Sequence, residues 1–285
     1  MFPIVDTHVH FWNPDRLHYP WLADVPSLRK PCLPADYRAA CGDIHVEKMV
    51  FVQAECDTAE YREEAAWVTA LARTEKRLAG LVPWAPLEKG AAVRAELTAL
   101  AKNPLVKGVR RIIQYEPDPA FCLRPDFVAG VQMLADFDLS FDICIAHSHM
   151  ENTLQFARQC PHVRFVLDHI GKPDVRHGLL EPWRKNLKSL ASLSNVWCKV
   201  SGLVTEADHE NWTRKDLKPY LDHVLACFGF ERTMYGGDWP VASLATDYPR
   251  WVETLDWAIH GCSPTERRRL FRDNAMAFYR LDGGS

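Results

Sequence analysis

The sequence predicts an α/β protein of the (β/α)8 barrel class, and three observations carry that prediction. Eight short runs rich in β-branched and aromatic residues alternate with stretches of helical period. The length of 285 residues suits one barrel, an architecture that commonly runs to about 250. The first strand runs into His8-Val9-His10-Phe11-Trp12, with none of the glycine-rich phosphate turn that usually follows the first strand of an open, doubly wound sheet. Strands joined through helices pair in parallel by right-handed crossovers, and eight such units close on themselves. One domain over residues 1–285 is expected.

The strands are expected at Ile4–His10, Lys48–Glu55, Leu78–Pro86, Val106–Gln114, Ser140–Ala146, Val163–His169, Asn195–Gly202 and Thr233–Asp238. Between them, apolar stripes such as Val93, Leu97, Leu100 and Ala101, or Trp183, Leu187, Leu190 and Ala191, read as amphipathic helices laid on a sheet. Leu217, Leu221, Val224, Leu225 and Phe228 make another such stripe. Ser263-Pro264-Thr265-Glu266 opens the last helix with a capping box and proline at its first position. The connection from Phe11 to Glu47 is unusually long, with Pro14, Pro20, Pro26, Pro31 and Pro34 and the aromatics Trp12, Tyr19 and Trp21. It is expected to wall or lid the barrel mouth, ending in a short helix over Pro34–Gly42.

Composition narrows the function. Apolar residues make up 47% and charged residues 25%, the balance of a globular core, and the net charge of −3 with scattered basic residues argues against nucleic acid or an anionic membrane as partner. No apolar run approaches the roughly 20 residues of a membrane span. Met1–Asp6 lacks the basic-then-apolar pattern of a secretion signal, so a cytoplasmic protein is expected. Nine cysteines without a CxxC pair signal neither a disulfide framework nor a cysteine zinc site.

Chemistry concentrates at strand ends. Side chains alternate along a strand, so Asp6, His8 and His10 are expected to point together into the barrel, where two imidazoles can chelate a divalent ion above a deeper carboxylate. Asp238, after Gly236-Gly237, ends the eighth strand, and His169 ends the sixth. His147 and His149 fall just past the fifth, within reach of the mouth or in an exposed loop.

These residues sit in an ordered set: Val5-Asp6-Thr7-His8-Val9-His10, Gly108-Val109-Arg110, Asp168-His169-Ile170-Gly171-Lys172-Pro173, Lys199-Val200-Ser201-Gly202-Leu203, Gly237-Asp238-Trp239-Pro240 and Asp273-Asn274-Ala275. By that set the chain resembles the amidohydrolase superfamily, within it the sugar-lactone hydrolases that include L-fuconolactonase, L-rhamnonolactonase and 2-pyrone-4,6-dicarboxylate lactonase. The resemblance implies a distorted barrel and one divalent ion, zinc by preference, on His8, His10, His169 and Asp238, with metal-free catalysis kept open. The bridging lysine or glutamate of two-metal members is absent from Val109-Arg110-Arg111-Ile112-Ile113-Gln114.

The chemistry it implies is hydrolysis of a sugar-acid lactone, L-fucono-1,5-lactone or a related aldonolactone. Asp238 would act as base while His8, His10 and His169 polarise the carbonyl directly or through the ion. Substrate contacts are expected from Gln53, Glu55, Trp84, Arg110, Gln114 or Tyr115, Lys172, Lys199, Trp239 and Trp12. Lys199, in a buried strand, needs an acidic partner or a role in the site, and the site is the favoured assignment. Mixed donors and acceptors suit a polyhydroxylated ring, whereas a dicarboxylate pyrone would call for more arginines than Arg110 and Arg111. The alternatives are a metal-dependent decarboxylase of an aromatic acid and a hydrolase of a carboxylated pyrone.

Overall fold

A computed structural model of the protein describes residues 3–281, so the outermost residues of the expected 1–285 domain lie outside the described residues. Eight strands are present: β1 (Ile4–Val9), β2 (Val46–Val52), β3 (Leu78–Val82), β4 (Gly108–Arg110), β5 (Ser140–Ile143), β6 (Phe165–Leu167), β7 (Val196–Val200) and β8 (Thr233–Tyr235). All neighbours pair in parallel, as β1-β2-β3 and β4-β5-β6-β7-β8. Isolated parallel bridges join the two arcs, Leu81 to Val106 at one seam and Val9 to Trp239 at the other. The barrel is therefore distorted, with a thin ladder at each seam.

Among the described residues the α-helices are α1 (Pro34–Cys41), α2 (Tyr61–Leu71), α3 (Arg94–Leu100), α4 (Pro125–Gln132), α5 (Met150–Gln159), α6 (Trp183–Ala191), α7 (Arg214–Phe228), α8 (Tyr248–Ala258), α9 (Pro264–Arg268) and α10 (Asn274–Phe278). The capping box at Ser263 is formed, its hydroxyl accepting from the Glu266 amide. A π-turn over Arg269–Asp273 then carries the chain from α9 into α10. Met276 and Phe278 of α10, with Tyr279 just after it, pack against Val5, Val50, Val166 and Met234 of the strands. The larger apolar cluster lies between the strands and the surrounding helices. No helix among the described residues is long and apolar enough to cross a membrane.

The strands end earlier than the sequence suggests, because the residues after them turn away to build the mouth. Glu55, His169 and Asp238, each expected inside a strand, all have φ between 52° and 54°. Left-handed backbone cannot continue a sheet, and for non-glycine residues it costs about 1–2 kcal/mol.

The long first connection is a packed wall. Phe11, Trp12, Leu17, Tyr19, Leu22 and Leu28 are buried, and Trp12 Nε1 donates to the carbonyls of Leu28 and Lys30. α1 follows where a short helix was expected.

Asp6 departs from expectation. A register irregularity between Asp6 and Val9 breaks the alternation of β1. His8 consequently faces the barrel interior, while Asp6 turns to the helices, accepting from Tyr37 Oη (2.8 Å), Tyr248 Oη (2.9 Å) and the amides of His8 and Gly237. Gly237 is needed there, since a Cβ would strike Asp6 Oδ2 and lie 2.5 Å from the Tyr248 ring. Asp6 thus clamps β1 to the chain leaving β8.

A second buried carboxyl has a pH signature. Glu64 of α2 accepts from the Ala54 amide at 3.2 Å, and burial pushes its pKa up from 4.5 to about 8. The folded state then holds a proton that the unfolded chain releases, so this contribution to stability is complete below about pH 4.5 and is lost as pH rises through about 8. Glu64→Gln is expected to remove that loss, giving a protein more stable than wild type by a few kcal/mol at pH 9 but not at pH 4.5. Urea midpoints at the two pH values check this, and parallel pH profiles for the two proteins would contradict it.

Candidate active site

Two strand ends bring the central groups together. The Asp238 amide donates to the His8 carbonyl and the His10 amide to the Trp239 carbonyl, both at 2.8 Å. Those bonds set the His8-Val9-His10 segment alongside Asp238. His8 Nε2 and His10 Nε2 lie 3.7 and 3.6 Å from Asp238 Oδ1, and all three residues are buried.

Their hydrogen bonds decide where the protons are. His10 Nδ1 is 2.7 Å from the Val52 carbonyl, which only accepts, so Nδ1 carries the hydrogen and Nε2 presents a lone pair. His8 has donors at both ring nitrogens, Arg110 Nη1 at Nε2 and Lys199 Nζ at Nδ1, each at 3.3 Å, and the Asp168 carboxylate 3.4 Å from Nδ1 favours the hydrogen there and the lone pair on Nε2. Burial holds the pKa of His8 well below its usual value and lowers that of His10, leaving both neutral. Burial alone would raise the Asp238 pKa, but its other surroundings, His169 foremost and the Lys172 ammonium with it, outweigh that and keep the group ionised. Three electron-rich atoms therefore converge on one point.

His169 arrives by a different device. His169, Ile170, Gly171 and Lys172 have φ of 52°, 50°, 76° and 48°, a single left-handed turn that includes a β-branched residue. The turn sends both His169 and Lys172 to the cavity. His169 Nδ1 pairs with Ser201 Oγ at 2.9 Å, and its ring centroid is 4.5 Å from that of His8. It stands outside the His8–His10–Asp238 trio and in a second close group with His8 and Asp168. Gly202, at φ 57°, lies against both groups: a Cβ there would collide with His169 Nδ1 and come within 2.7 Å of Asp238 Oδ2.

Beneath the trio is a buried charge network. Lys199 Nζ lies 2.6 Å from Asp142 Oδ2 and 3.0 Å from Asp168 Oδ1, and Tyr279, just after α10, donates to Asp142 at 2.7 Å. Arg110 reaches Asp168 Oδ2 at 3.4 Å and donates to the Gln53 carbonyl at 2.5 Å. Two cations thus meet two carboxylates. Burial raises the Asp142 pKa, whereas at Asp168 the charge of Lys199, foremost among its neighbours, overcomes burial and holds the carboxyl well below its ordinary value. His8 Nδ1 lies 3.4 Å from Asp168 Oδ1, whose charge favours a hydrogen on that nitrogen.

A cavity of about 150 Å³ opens over these groups, lined by His10, Trp12, Trp21, Ala54, Glu55, Arg110, Ile112, Gln114, Tyr115, Cys144, His169, Lys172, Thr205, Asp238 and Val241. Of the expected substrate contacts, Glu55, Arg110, Gln114, Tyr115, Lys172 and Trp12 are on this wall. Gln53 lies just behind, donating to Glu55 at 2.7 Å. Three others are elsewhere. Trp84 packs on Tyr61, Trp239 sits with Phe11 and Tyr37, and Lys199 is spent on its two aspartates. His147 Nδ1 donates to the Lys172 carbonyl at 2.9 Å, and His149 is buried beside Ser148. Neither lines the cavity. Trp21 and Thr205 do, and were missed: Trp21 was assigned only to the wall, and Thr205 carries no local sequence signal.

The donor set fits a divalent ion. Bonds of about 2.0–2.2 Å in tetrahedral geometry space ligand atoms about 3.3–3.6 Å apart, and two imidazole lone pairs with a carboxylate oxygen are standard zinc donors. Such a trio at the C-terminal mouth of a (β/α)8 barrel defines a metal-competent barrel enzyme.

Comparison with known proteins narrows the class. The amidohydrolase family profile matches residues 5–281, and the chain belongs to that family. It is 31% identical to an L-fucono-1,5-lactonase of Burkholderia ambifaria, over 98% of this chain and 96% of the relative, and 33% identical to one of Burkholderia multivorans, over 97% and 96%. The crystal structure of an amidohydrolase from Burkholderia multivorans with bound zinc is similar with a TM-score of 0.89 at 32% identity, covering 98% of this chain and all of that one.

Gly202→Ala is expected to push His169 and Asp238 apart, lowering kcat at least 100-fold while costing about 1–2 kcal/mol of stability. Steady-state kinetics beside thermal melts check this. A variant with near wild-type kcat would show that the close approach is not required.

Proposed function

We propose that the protein hydrolyses a sugar-acid lactone, L-fucono-1,5-lactone or a closely related aldonolactone, to the aldonic acid. The observation that carries this reading is the electron-rich trio of His8, His10 and Asp238, of which His10 and Asp238 line a cavity of about 150 Å³. That volume is below the roughly 300 Å³ at which drug-sized sites begin, so it suits a single small ring. The relatives named as L-fucono-1,5-lactonases support the choice of lactone.

His8, His10 and Asp238 would hold one divalent ion, zinc by analogy with the Burkholderia multivorans structure. When bound, the ion supplies Lewis-acid polarisation of the carbonyl and makes water more acidic. Asp238 Oδ1 faces the histidines, while Oδ2 faces the Gly202 side of the site, leaving one oxygen for proton transfer. Oδ2 takes a proton as the water oxygen bonds to the lactone carbonyl carbon. The ring carbon–oxygen bond then breaks, and Asp238 returns the proton to the departing alkoxide. His169, beside this oxygen and on the cavity wall, is assigned to the carbonyl side, adding to its polarisation.

Glu55 with Gln53 behind it, Arg110, Gln114 and Lys172 provide acceptors and donors for ring hydroxyls, while Trp12, Trp21 and the exposed rim residue Tyr115 provide apolar faces. The nine cysteines are all free thiols, which supports a reducing, cytoplasmic setting. One barrel domain carrying the whole site is part of the same reading.

Purified protein should release acid from freshly made aldono-1,5- or 1,4-lactones of one stereochemical series, read with a pH indicator and corrected for spontaneous opening. Silence on that panel, with carbon dioxide release from aromatic acids or hydrolysis of a carboxylated pyrone, would overturn the substrate assignment. Asp238→Asn is expected to fold normally and lose at least 100-fold in kcat. Dialysis against a chelator should lower turnover and zinc should restore it. Full activity of demonstrably zinc-free protein would remove the ion from the mechanism.

A further inference from the structure

The Arg110 contact with His8 has a consequence for metal binding. Arg110 Nη1 approaches His8 Nε2 at 3.3 Å, and that nitrogen is one of the three converging donors. A guanidinium has no acceptor, so the contact uses the His8 lone pair. The opposite ring nitrogen meets another donor, Lys199 Nζ at 3.3 Å, and a neutral imidazole cannot accept at both. Asp168 Oδ1 breaks the tie. It lies 3.4 Å from Nδ1, nearer than Asp238 Oδ1 lies to Nε2 (3.7 Å), and its charge favours the hydrogen on Nδ1, while Lys199 is held by Asp142 and Asp168.

Arg110 cannot easily withdraw. It is buried, with Nη2 on the Gln53 carbonyl at 2.5 Å and Nη1 near Asp168 Oδ2 at 3.4 Å. Its Nε has no protein partner among the described residues. A fixed positive charge therefore stands at the atom through which a dication would be bound.

We propose that Arg110 and the divalent ion are alternative partners of the same His8 lone pair, so that Arg110 sets how tightly the protein holds its metal. Arg110 lowers metal affinity in two ways: the ion must displace its hydrogen bond, and it must sit beside its charge in a site sheltered from water. In the same contact Arg110 keeps His8 as the Nδ1–H tautomer, so the lone pair stays aimed at the cavity when no ion is bound. The inference rests on the metal-binding part of the proposed function and is independent of the identity of the lactone.

The test is zinc affinity, measured by competition with a chromophoric chelator for wild type, Arg110→Met and Arg110→Gln. Glutamine keeps a neutral donor for the Gln53 carbonyl, so it guards against collapse of the methionine variant. The expected result is at least tenfold tighter zinc binding in whichever variants fold, a direction that simple damage to the site would not produce. Equal or weaker binding by folded variants, with wild type binding zinc, would overturn the role of Arg110 and leave the metal reading intact. Absence of zinc binding in all three would overturn both, whatever the lactone assay gives. Long-range proton–nitrogen spectra of the zinc-free wild type need no variant. They should show His8 protonated on Nδ1 with Nε2 accepting, and the Nε2–H tautomer would overturn the inference.

Discussion

Two imidazole lone pairs and a carboxylate oxygen, held within 4.8 Å of one another in a buried mouth, repel unless a positive charge lies among or beside them. Much of the interior answers to that constraint. The Val52 carbonyl fixes the His10 tautomer, Asp168 and Arg110 fix that of His8, and Lys199 keeps Asp168 ionised so that it can accept. Asp142 and Tyr279 hold Lys199 in turn, which ties the mouth to the C-terminal helix at the other end of the barrel. A polar network of this kind holds together only when nearly every member is satisfied, so its parts stand or fall together.

Backbone strain is concentrated at the same place. The left-handed turn from His169 to Lys172, together with positive φ at Glu55 and Asp238, breaks each strand as it reaches the mouth and turns its last side chain onto the cavity. Glycine is used where space is the limiting quantity. Gly202 allows His169 and Asp238 to approach, and Gly237 allows Asp6 and Tyr248 to clamp the first strand beside the eighth. Strain and close approach are tolerated because two extensive apolar clusters secure the barrel around them.

Much of this was legible in the order of residues. Period-two and period-3.6 patterns located all eight strands and the main helices, because burial on one face leaves a local trace. His8, His10, His169 and Asp238 stood out because rare ionisable groups ended predicted strands. Asp6 was assigned the wrong face, since a bulge between residues 6 and 9 has no signature in Val-Asp-Thr-His-Val-His. Trp84, Trp239 and Lys199 were expected at the substrate and stand off the cavity, because an aromatic or a lysine at a strand end looks the same locally whether it packs, pairs or binds.

The sequence by itself determined the barrel, the direction of its strands and the residues able to ligate a metal, because those follow from periodicity, chain length and donor chemistry. Only the tertiary structure decided which donors converge, which carbonyls and charges face their ring nitrogens, and that Arg110 stands against His8 Nε2. Those outcomes depend on distances of a few ångströms between residues separated by as many as about 230 positions, from His8 to Asp238, and no local pattern encodes such distances.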